Sequence, residues 1–227
     1  MMKILGIIPA RSGSKGVKNK NIKKLGGRYL IDYTIQESKK SKLTDVIVST
    51  NCNEIKLISE SLGANVPFLR PKELALDNSK SISVVQHALS AFSSINNVEY
   101  DAVMLLQPTC PFRTFKDINN SIEIFKKKNP DSVISVCNVN GFHPARMKFL
   151  SEENILLDPP FAEEYENQAR QELVPMYIRN GAIYLTRVNS IVRGSFKGDL
   201  SLAYIMDGDK SINIDTNFDF KIAEALL

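Results

Sequence analysis

Residues 4–21 read ILGIIPARSGSKGVKNKN: an apolar run that stops at Pro9 and passes directly into a loop of glycine, serine and cations. Ile4 to Ile8 is short, rich in branched side chains and closed by a proline, which predicts a buried strand. Gly13 and Gly16 permit a backbone whose N–H groups face one centre, and Arg11, Lys15 and Lys20 bring positive charge to the same place. By itself such a cluster also reads as a solvated basic loop. Its position directly after a buried strand favours a polyphosphate cradle. Neither GxxxxGK(S/T) nor GxGxxG is present, so the loop is neither of the two common phosphate-binding fingerprints.

The same rhythm continues over the first 137 residues. Val46 to Ser49, Val66 to Leu69, Ala102 to Leu106 and Val133 to Val136 are further short apolar runs, and between them lie amphipathic stretches of helical period. These carry Leu30, Tyr33, Thr34 and Ser41; Ile55, Ile58 and Leu62; Ile82, Val85, His87, Leu89 and Phe92; and Ile118, Ile122 and Phe125. Thr114 with Asp117, and Thr216 with Asp219, have capping-box spacing ahead of helices. Alternating strand and helix predict an α/β fold, a mostly parallel Rossmann-like sheet with helices on both faces, whose ligands bind beyond the carboxyl ends of the strands. Residues 139–176 hold Pro144, Pro159, Pro160 and Pro175 and a turn at Glu152-Glu153-Asn154, and their lack of period marks an insertion. The expected division is a core of residues 1–138 and 177–227, with strands at Tyr177 to Leu185 and Leu202 to Met206, and an arm of residues 139–176 suited to packing on a second subunit.

Composition narrows the classes. With 227 residues, 43% apolar and 24% charged, the chain can bury a sizeable core without metal or disulfide staples. Cys52, Cys110 and Cys137 are odd in number and widely spaced, and the histidines are His87 and His143, which argues against a disulfide framework or a Cys/His zinc site. No apolar run reaches the roughly 18 residues of a membrane span, and Met1-Met2-Lys3 leads into a strand rather than a leader. A cytoplasmic protein with no membrane partner is expected. The net charge of +4 is too mild to imply nucleic acid.

Several motifs now fall in order. Pro9-Ala10-Arg11-x-Gly13-Ser14-Lys15-Gly16 is followed by Lys20-Asn21; Leu69-Arg70-Pro71 by Leu74-Ala75, Asp77 and Ser81; then come Leu106-Gln107-Pro108-Thr109-Cys110-Pro111-Phe112-Arg113, Asn180-Gly181-Ala182-Ile183-Tyr184 and Ile214-Asp215-Thr216. Across essentially the whole chain this resembles the CMP-sialic acid synthetases, or acylneuraminate cytidylyltransferases, including the CMP-legionaminate synthases. The resemblance implies a nucleotidyltransferase that joins CTP to a nine-carbon 2-keto sugar acid of N-acetylneuraminate or legionaminate type, releasing pyrophosphate. It also implies a homodimer and a dependence on Mg²⁺ or Mn²⁺.

The resemblance assigns roles to residues. Arg11, Lys15 and Lys20 become the phosphate set; Ala10, Arg11, Gly13, Ser14, Asn21, Arg70 and Ser81 the nucleotide side; Gln107, Arg170, Asn180 and Tyr184 the sugar side. Arg146 and Phe196 match, more loosely, residues that enter a neighbouring subunit's site. Asp215 is the metal residue, since Mg²⁺ takes one or two carboxylates plus substrate phosphates. Many relatives have a second carboxylate two residues earlier, where this chain has Asn213, an uncharged candidate ligand.

Other readings are set beside these. Ser81 also suits a helix N-cap, Arg170 a solvated arm position and Tyr184 a core strand. Asp207-Gly208-Asp209 mimics a metal-binding DxD but sits before Lys210 as a turn does. His87 lies within an apolar helical run, so nucleophilic catalysis has no candidate. Enzymes of the eight-carbon 3-deoxy-octulosonate place an acidic residue where Gln107 falls, which sets them behind the nine-carbon group. Pseudaminate stays open as a substrate. A non-catalytic nucleotide- or nucleic-acid-binding module is the alternative from another class, and the basic loop lacks the interleaved aromatics that module needs.

Overall fold

Strand β1, Ile4–Pro9, sends Ile4 and Ile8 to one face and Leu5 and Ile7 to the other, each into a different apolar cluster. That alternation with apolar residues on both faces is what a central strand covered on both sides requires. The computed structural model describes residues 2–227, so Met1 lies outside the described residues. The remaining strands are β2 (Lys24–Leu25), β3 (Arg28–Tyr29), β4 (Asp45–Ser49), β5 (Ala102–Leu105), β6 (Ser132–Asn138), β7 (Phe149–Leu150), β8 (Leu156–Leu157), β9 (Tyr177–Arg187) and β10 (Ser201–Ile205). The helices are α1 (Leu30–Lys39), α2 (Asn53–Ser61), α3 (Ser81–Asn96), α4 (Phe115–Lys128), α5 (Val188–Val192) and α6 (Asn217–Ala225).

The main sheet has the order β10-β6-β9-β5-β1-β4. β1 pairs in parallel with β4 on one side and β5 on the other, and β6 pairs in parallel with β10. β9 alone is antiparallel, lying between β5 and β6. Helices α1, α2 and α4 supply Ile31, Ile35, Ile55, Ile118, Ile122 and Phe125 to one face, and α3 and α5 supply Val85, Ala88, Leu89, Phe92 and Ile191 to the other. The chain leaves β1 first for β4 and later for β5, so the carboxyl end of β1 is the switch point at which such sheets open a crevice.

Both capping boxes are formed, Thr114 with Asp117 at α4 and Thr216 with Asp219 at α6. Val66 to Leu69, read from sequence as a strand, is not one. Isolated bridges flank it, from Asn65 to Ile47 of β4 and from Leu69 to Thr50 just beyond β4, and Pro67 between them has no N–H to continue a ladder. Ser41 falls beyond the end of α1. Ser81 is the first residue of α3 rather than its N-cap, a place held by Lys80.

Residues 139–176 leave the sheet at the end of β6 and return at the start of β9. They contribute short 3-10 turns and the β7–β8 hairpin, whose turn holds Asn154 at φ 62°. His143 is buried there and contacts the Val174 carbonyl at 2.9 Å, tying the two ends of the arm together.

Phe125 is fully buried between α4 and the sheet. Phe125→Ala is expected to cost about 3–5 kcal/mol of stability, read as a lowered urea midpoint; a loss below about 1 kcal/mol would show that this face of the sheet is loosely packed.

Candidate active site

The loop after β1 begins as a continuation of the strand, since the Ala10 N–H still donates to the Ser49 carbonyl at 2.9 Å. It then turns outward, pinned by a pair of hydrogen bonds to the loop after β4: the Ser12 N–H donates to Asn51 Oδ1 and Asn51 Nδ2 donates to Ser12 Oγ, each at 3.0 Å. Gly13 takes φ +74° and Asn19 φ +51°, left-handed conformations suited to glycine and asparagine. Asn21 Nδ2 donates to the Arg11 carbonyl at 2.9 Å, and Ser14 Oγ accepts from the Lys20 N–H at 3.0 Å, so both side chains brace the loop from within. A Cβ on Gly16 would lie 2.1 Å from the Asp215 carbonyl oxygen; only glycine lets the first loop and the segment ahead of α6 meet there.

The result is a cleft of about 530 Å³ at the carboxyl ends of β1, β4 and β5, within the range of small-molecule sites. One wall carries Arg11, Ser14, Lys15, Gly16, Lys20 and Asn21; the facing wall carries Arg70, Leu74, Leu76, Asp77, Ser79 and Ser81; Gln107, Thr109, Asn213 and Asp215 close the remaining side. Four cations thus face two carboxylates. Arg11 Nη2 lies 2.8 Å from Asp77 Oδ1 and Lys15 Nζ 2.5 Å from Asp77 Oδ2. Bonded by Lys15 and Arg11, the Asp77 carboxyl is held below the usual carboxylate range. Lys20 Nζ donates to the Ile214 carbonyl at 2.7 Å and to Asp215 Oδ1 at 3.0 Å.

Arg70 is buried, its Nε donating to Ser49 Oγ at 3.1 Å and its Nη2 to the Ser49 carbonyl at 2.5 Å. Burial first, and then the charge of Arg11, push the Arg70 guanidinium down to about 10. Nη1 reaches the Leu74 carbonyl only at 3.4 Å, which leaves it the most available donor. Asp215 has both oxygens engaged, Oδ2 by Asn213 Nδ2 at 3.1 Å, yet its side chain is 65% exposed. Each carboxylate oxygen has a second lone pair. Among the described residues no group of three or more His, Cys, Asp or Glu side chains could cage a metal. Asn213 turns its amide nitrogen to Asp215 and its Oδ1 to Cys110 Sγ at 3.7 Å, so the exposed Asp215 carboxylate is the group that fits a cation drawing its remaining ligands from substrate and water.

The structure separates the sequence candidates into two groups. Arg11, Ser14, Lys15, Lys20, Asn21, Arg70, Ser81, Gln107, Asn213 and Asp215 line one cleft. Ala10 is buried beneath it and Gly13 shapes the loop without facing it. Asn180 is 4% exposed and spends its amide internally, accepting from Ser135 Oγ at 2.6 Å and donating to Ser211 Oγ at 2.9 Å. Tyr184 and Phe196 pack on each other, ring centroids 5.6 Å apart, against the second apolar cluster. Arg146 donates to the Gln168 carbonyl at 2.6 Å, within the arm, and Arg170 opens an exposed 3-10 turn there. Neither lines this chain's cleft.

Two residues quoted within motifs acquire roles the sequence did not assign. Asp77 is the counter-ion of Arg11 and Lys15; the cue was an acid four positions ahead of Ser81 in a segment otherwise built to meet anions. Arg113 is fully buried without a carboxylate partner. Its Nη1 donates to the carbonyls of Ala182 at 2.8 Å and Gln107 at 3.2 Å, and its Nη2 to Thr34 Oγ1 at 2.6 Å. Desolvation drives its guanidinium down to about 10. Beside it, burial lifts the Cys110 thiol to about 11, so this cysteine stays protonated and donates its Sγ hydrogen to the Asn180 carbonyl at 3.2 Å.

Comparison with known proteins places this geometry. The sequence is 37% identical over 224 residues to an N-acylneuraminate cytidylyltransferase of Escherichia coli O18:K1:H7, covering 97% of this chain and 51% of that one; the chain thus spans about half the length of that relative. It is 34% identical over 229 residues to a CMP-N,N'-diacetyllegionaminic acid synthase of Legionella pneumophila, covering 100% of this chain and 97% of that one. Among solved structures, a CMP:2-keto-3-deoxy-manno-octonic acid synthetase complexed with CTP superposes with a TM-score of 0.72 at 14% identity over 99% of this chain and 98% of that one, which shows a shared fold. The cytidylyltransferase family model matches residues 5–193. With the strand-loop cradle, the facing loop and the β5 turn all inside that span, the chain belongs to the cytidylyltransferase family.

Proposed function

We propose that this chain transfers the cytidylyl group of CTP to a nine-carbon 2-keto sugar acid of the N-acetylneuraminate or legionaminate type, giving the CMP-sugar and pyrophosphate. The observation that carries this reading is the convergence of Arg11, Lys15 and Lys20 on one side of a cleft whose other side is Arg70 and Ser81. The relatives named for N-acylneuraminate and diacetyllegionaminic acid support the sugar class. In the reaction the anomeric hydroxyl gives up its proton to solvent as its oxygen bonds to the α-phosphorus, the bond from that phosphorus to the bridging oxygen breaks, and pyrophosphate leaves. Charge builds on the transferred and departing phosphates, where fixed cations lower the barrier most. Arg11 and Lys15 suit the departing phosphates. Lys20, pinned by the Ile214 carbonyl, is the most rigidly held of the three.

Arg70 Nη1 and the Ser81 hydroxyl offer donors to a pyrimidine edge and ribose. Gln107 faces the cleft from the β5 side, where the acceptor would lie. Asp215, with Asn213 beside it, would hold Mg²⁺ or Mn²⁺, which supplies neutralisation of the triphosphate charge. The decisive experiment is pyrophosphate release with CTP, ATP, GTP or UTP, each against neuraminate, legionaminate, pseudaminate and 3-deoxy-octulosonate. Release with CTP and a nine-carbon neuraminate or legionaminate acid alone is expected; release with octulosonate alone would overturn the sugar class.

Asp215→Asn is expected to lower kcat by about 10²–10³ while CTP affinity measured by calorimetry changes little. Unchanged turnover would remove Asp215 from the site.

The arm supports a homodimer as the working unit of what we read as a cytoplasmic enzyme. Phe142 is 83% exposed, Val174 78%, Leu156 67% and Leu150 64%, and Leu150 and Leu156 lie side by side on the hairpin, large apolar groups on one arm that a second subunit would cover. No described helix is long and apolar enough to cross a membrane. Arg170 and Arg146, remote from their own cleft, would then serve the partner's, Arg170 gripping the acceptor carboxylate. Arg170→Ala should raise KM for the sugar acid about tenfold or more with KM for CTP unaffected, and mixing it with an inactive Lys20→Ala protein should restore activity through mixed dimers. No recovery in a mixture shown to exchange subunits would make each cleft self-contained.

A further inference from the structure

Arg11 and Lys15 lie on the loop after β1, and Asp77 on the segment between α2 and α3 that forms the opposite wall. The Asp77 carboxylate bridges the two cations with separate oxygens, Oδ1 to Arg11 at 2.8 Å and Oδ2 to Lys15 at 2.5 Å. A carboxylate spanning a guanidinium and an ammonium presents two anionic oxygens much as a phosphate does. Among the described residues no other acid balances these two, because Asp215, the other carboxylate of the cleft, is committed to Lys20 and Asn213.

We propose that Asp77 is a specificity-determining residue: its carboxylate competes from within the chain for the phosphate positions on Arg11 and Lys15, so a ligand gains those cations only by displacing it. This rests on the reading of Arg11 and Lys15 as phosphate-binding groups. The exchange swaps one carboxylate for a phosphate group of higher charge. A triphosphate and free pyrophosphate both meet this competition, and each binds less tightly than it would to unpaired cations. Asp77 thereby lowers the affinity of the site for free pyrophosphate, the leaving group, and leaves untouched a ligand such as cytidine that does not reach Arg11 and Lys15. The ion pairs are partly exposed, with Asp77 at 45% and Lys15 at 81% side-chain exposure, so displacement is inexpensive and reversible. The same bridge joins the two walls of the cleft, and losing it frees the Leu74 to Ser81 segment from the loop after β1.

The test is calorimetric titration, in metal-free buffer, of wild type, Asp77→Asn, Glu73→Gln and Arg11→Gln with inorganic pyrophosphate and, separately, cytidine. Glu73 lies on the same segment and removes the same charge without touching the bridge. Asp77→Asn is expected to bind pyrophosphate about three- to tenfold tighter than wild type, the range for two exposed ion pairs. Cytidine affinity and the Glu73→Gln protein should stay within about twofold of wild type, and Arg11→Gln should lose pyrophosphate. Unchanged or weaker pyrophosphate binding in Asp77→Asn, with Arg11→Gln still impaired, overturns the competition alone. An equal gain in Glu73→Gln overturns it in favour of general charge, and pyrophosphate binding indifferent to Arg11→Gln overturns the phosphate reading and this inference with it. Absence of measurable binding in both wild type and Asp77→Asn overturns it too.

Discussion

The cleft depends on one closure between the two ends of the chain. Lys20, from the first loop, donates to the Ile214 carbonyl and to Asp215, 195 residues later, while Gly16 abuts the Asp215 carbonyl too closely for any side chain. Ile214 in turn donates its N–H to the Thr109 carbonyl at 2.8 Å, so three separate segments meet at one backbone. The small apolar cluster of Val17, Leu25, Leu30, Ile214, Phe220 and Ala223 seals the underside of this junction. Polar pairing across the top would be weak in open water; set on a dry support it fixes the position of Lys20 to within a hydrogen bond.

Buried guanidinium groups carry the rest of the scaffold. Arg70 and Arg113 are among the most buried charges in the protein, and their near partners are backbone carbonyls and hydroxyls rather than carboxylates. A buried charge without an opposite charge is costly, and both groups show it in guanidinium acidities raised by desolvation. The arrangement makes sense for an anion site. A carboxylate on Arg70 would cancel the field at the cleft, whereas carbonyl partners hold the side chain in place and leave its charge to be felt by a ligand. Arg113 does the mechanical counterpart, locking the Gln107 carbonyl to β9 and α1 so that the turn after β5 cannot drift.

Much of this was legible in the sequence because it rests on local rules. The short run of branched apolar residues from Ile4 to Ile8 marked a strand buried on both faces, and the Thr114 and Thr216 capping boxes marked helix starts to the residue. The first loop, with Gly13, Gly16 and its cations, sat where a parallel sheet binds ligands. What escaped was non-local. The direction of β9 leaves no mark on periodicity, which is the same for parallel and antiparallel strands. Pro67 was the overlooked sign that Val66 to Leu69 could not complete a ladder. The Asp77 bridge joins residues 62 and 66 positions apart, and no spacing rule reaches that far. Asn180 was assigned to the sugar side by the resemblance of its motif, whereas here burial among Ser135, Met206 and Ser211 claims its hydrogen bonds for the core.

The antiparallel strand has a consequence for where the arm can be. In an all-parallel sheet every connection must return from the carboxyl edge to the amino edge, and an insertion of nearly forty residues would be drawn across a face already covered by helices. Because β9 runs opposite to β6, the chain leaving β6 at the ligand edge re-enters β9 at that same edge. Residues 139–176 are therefore free to project beside the cleft without crossing the sheet, and His143 can close their base through the Val174 carbonyl. The antiparallel β9 thus leaves the arm, with Arg146 and Arg170, at the edge of the sheet that carries the cleft, although neither arginine lines it.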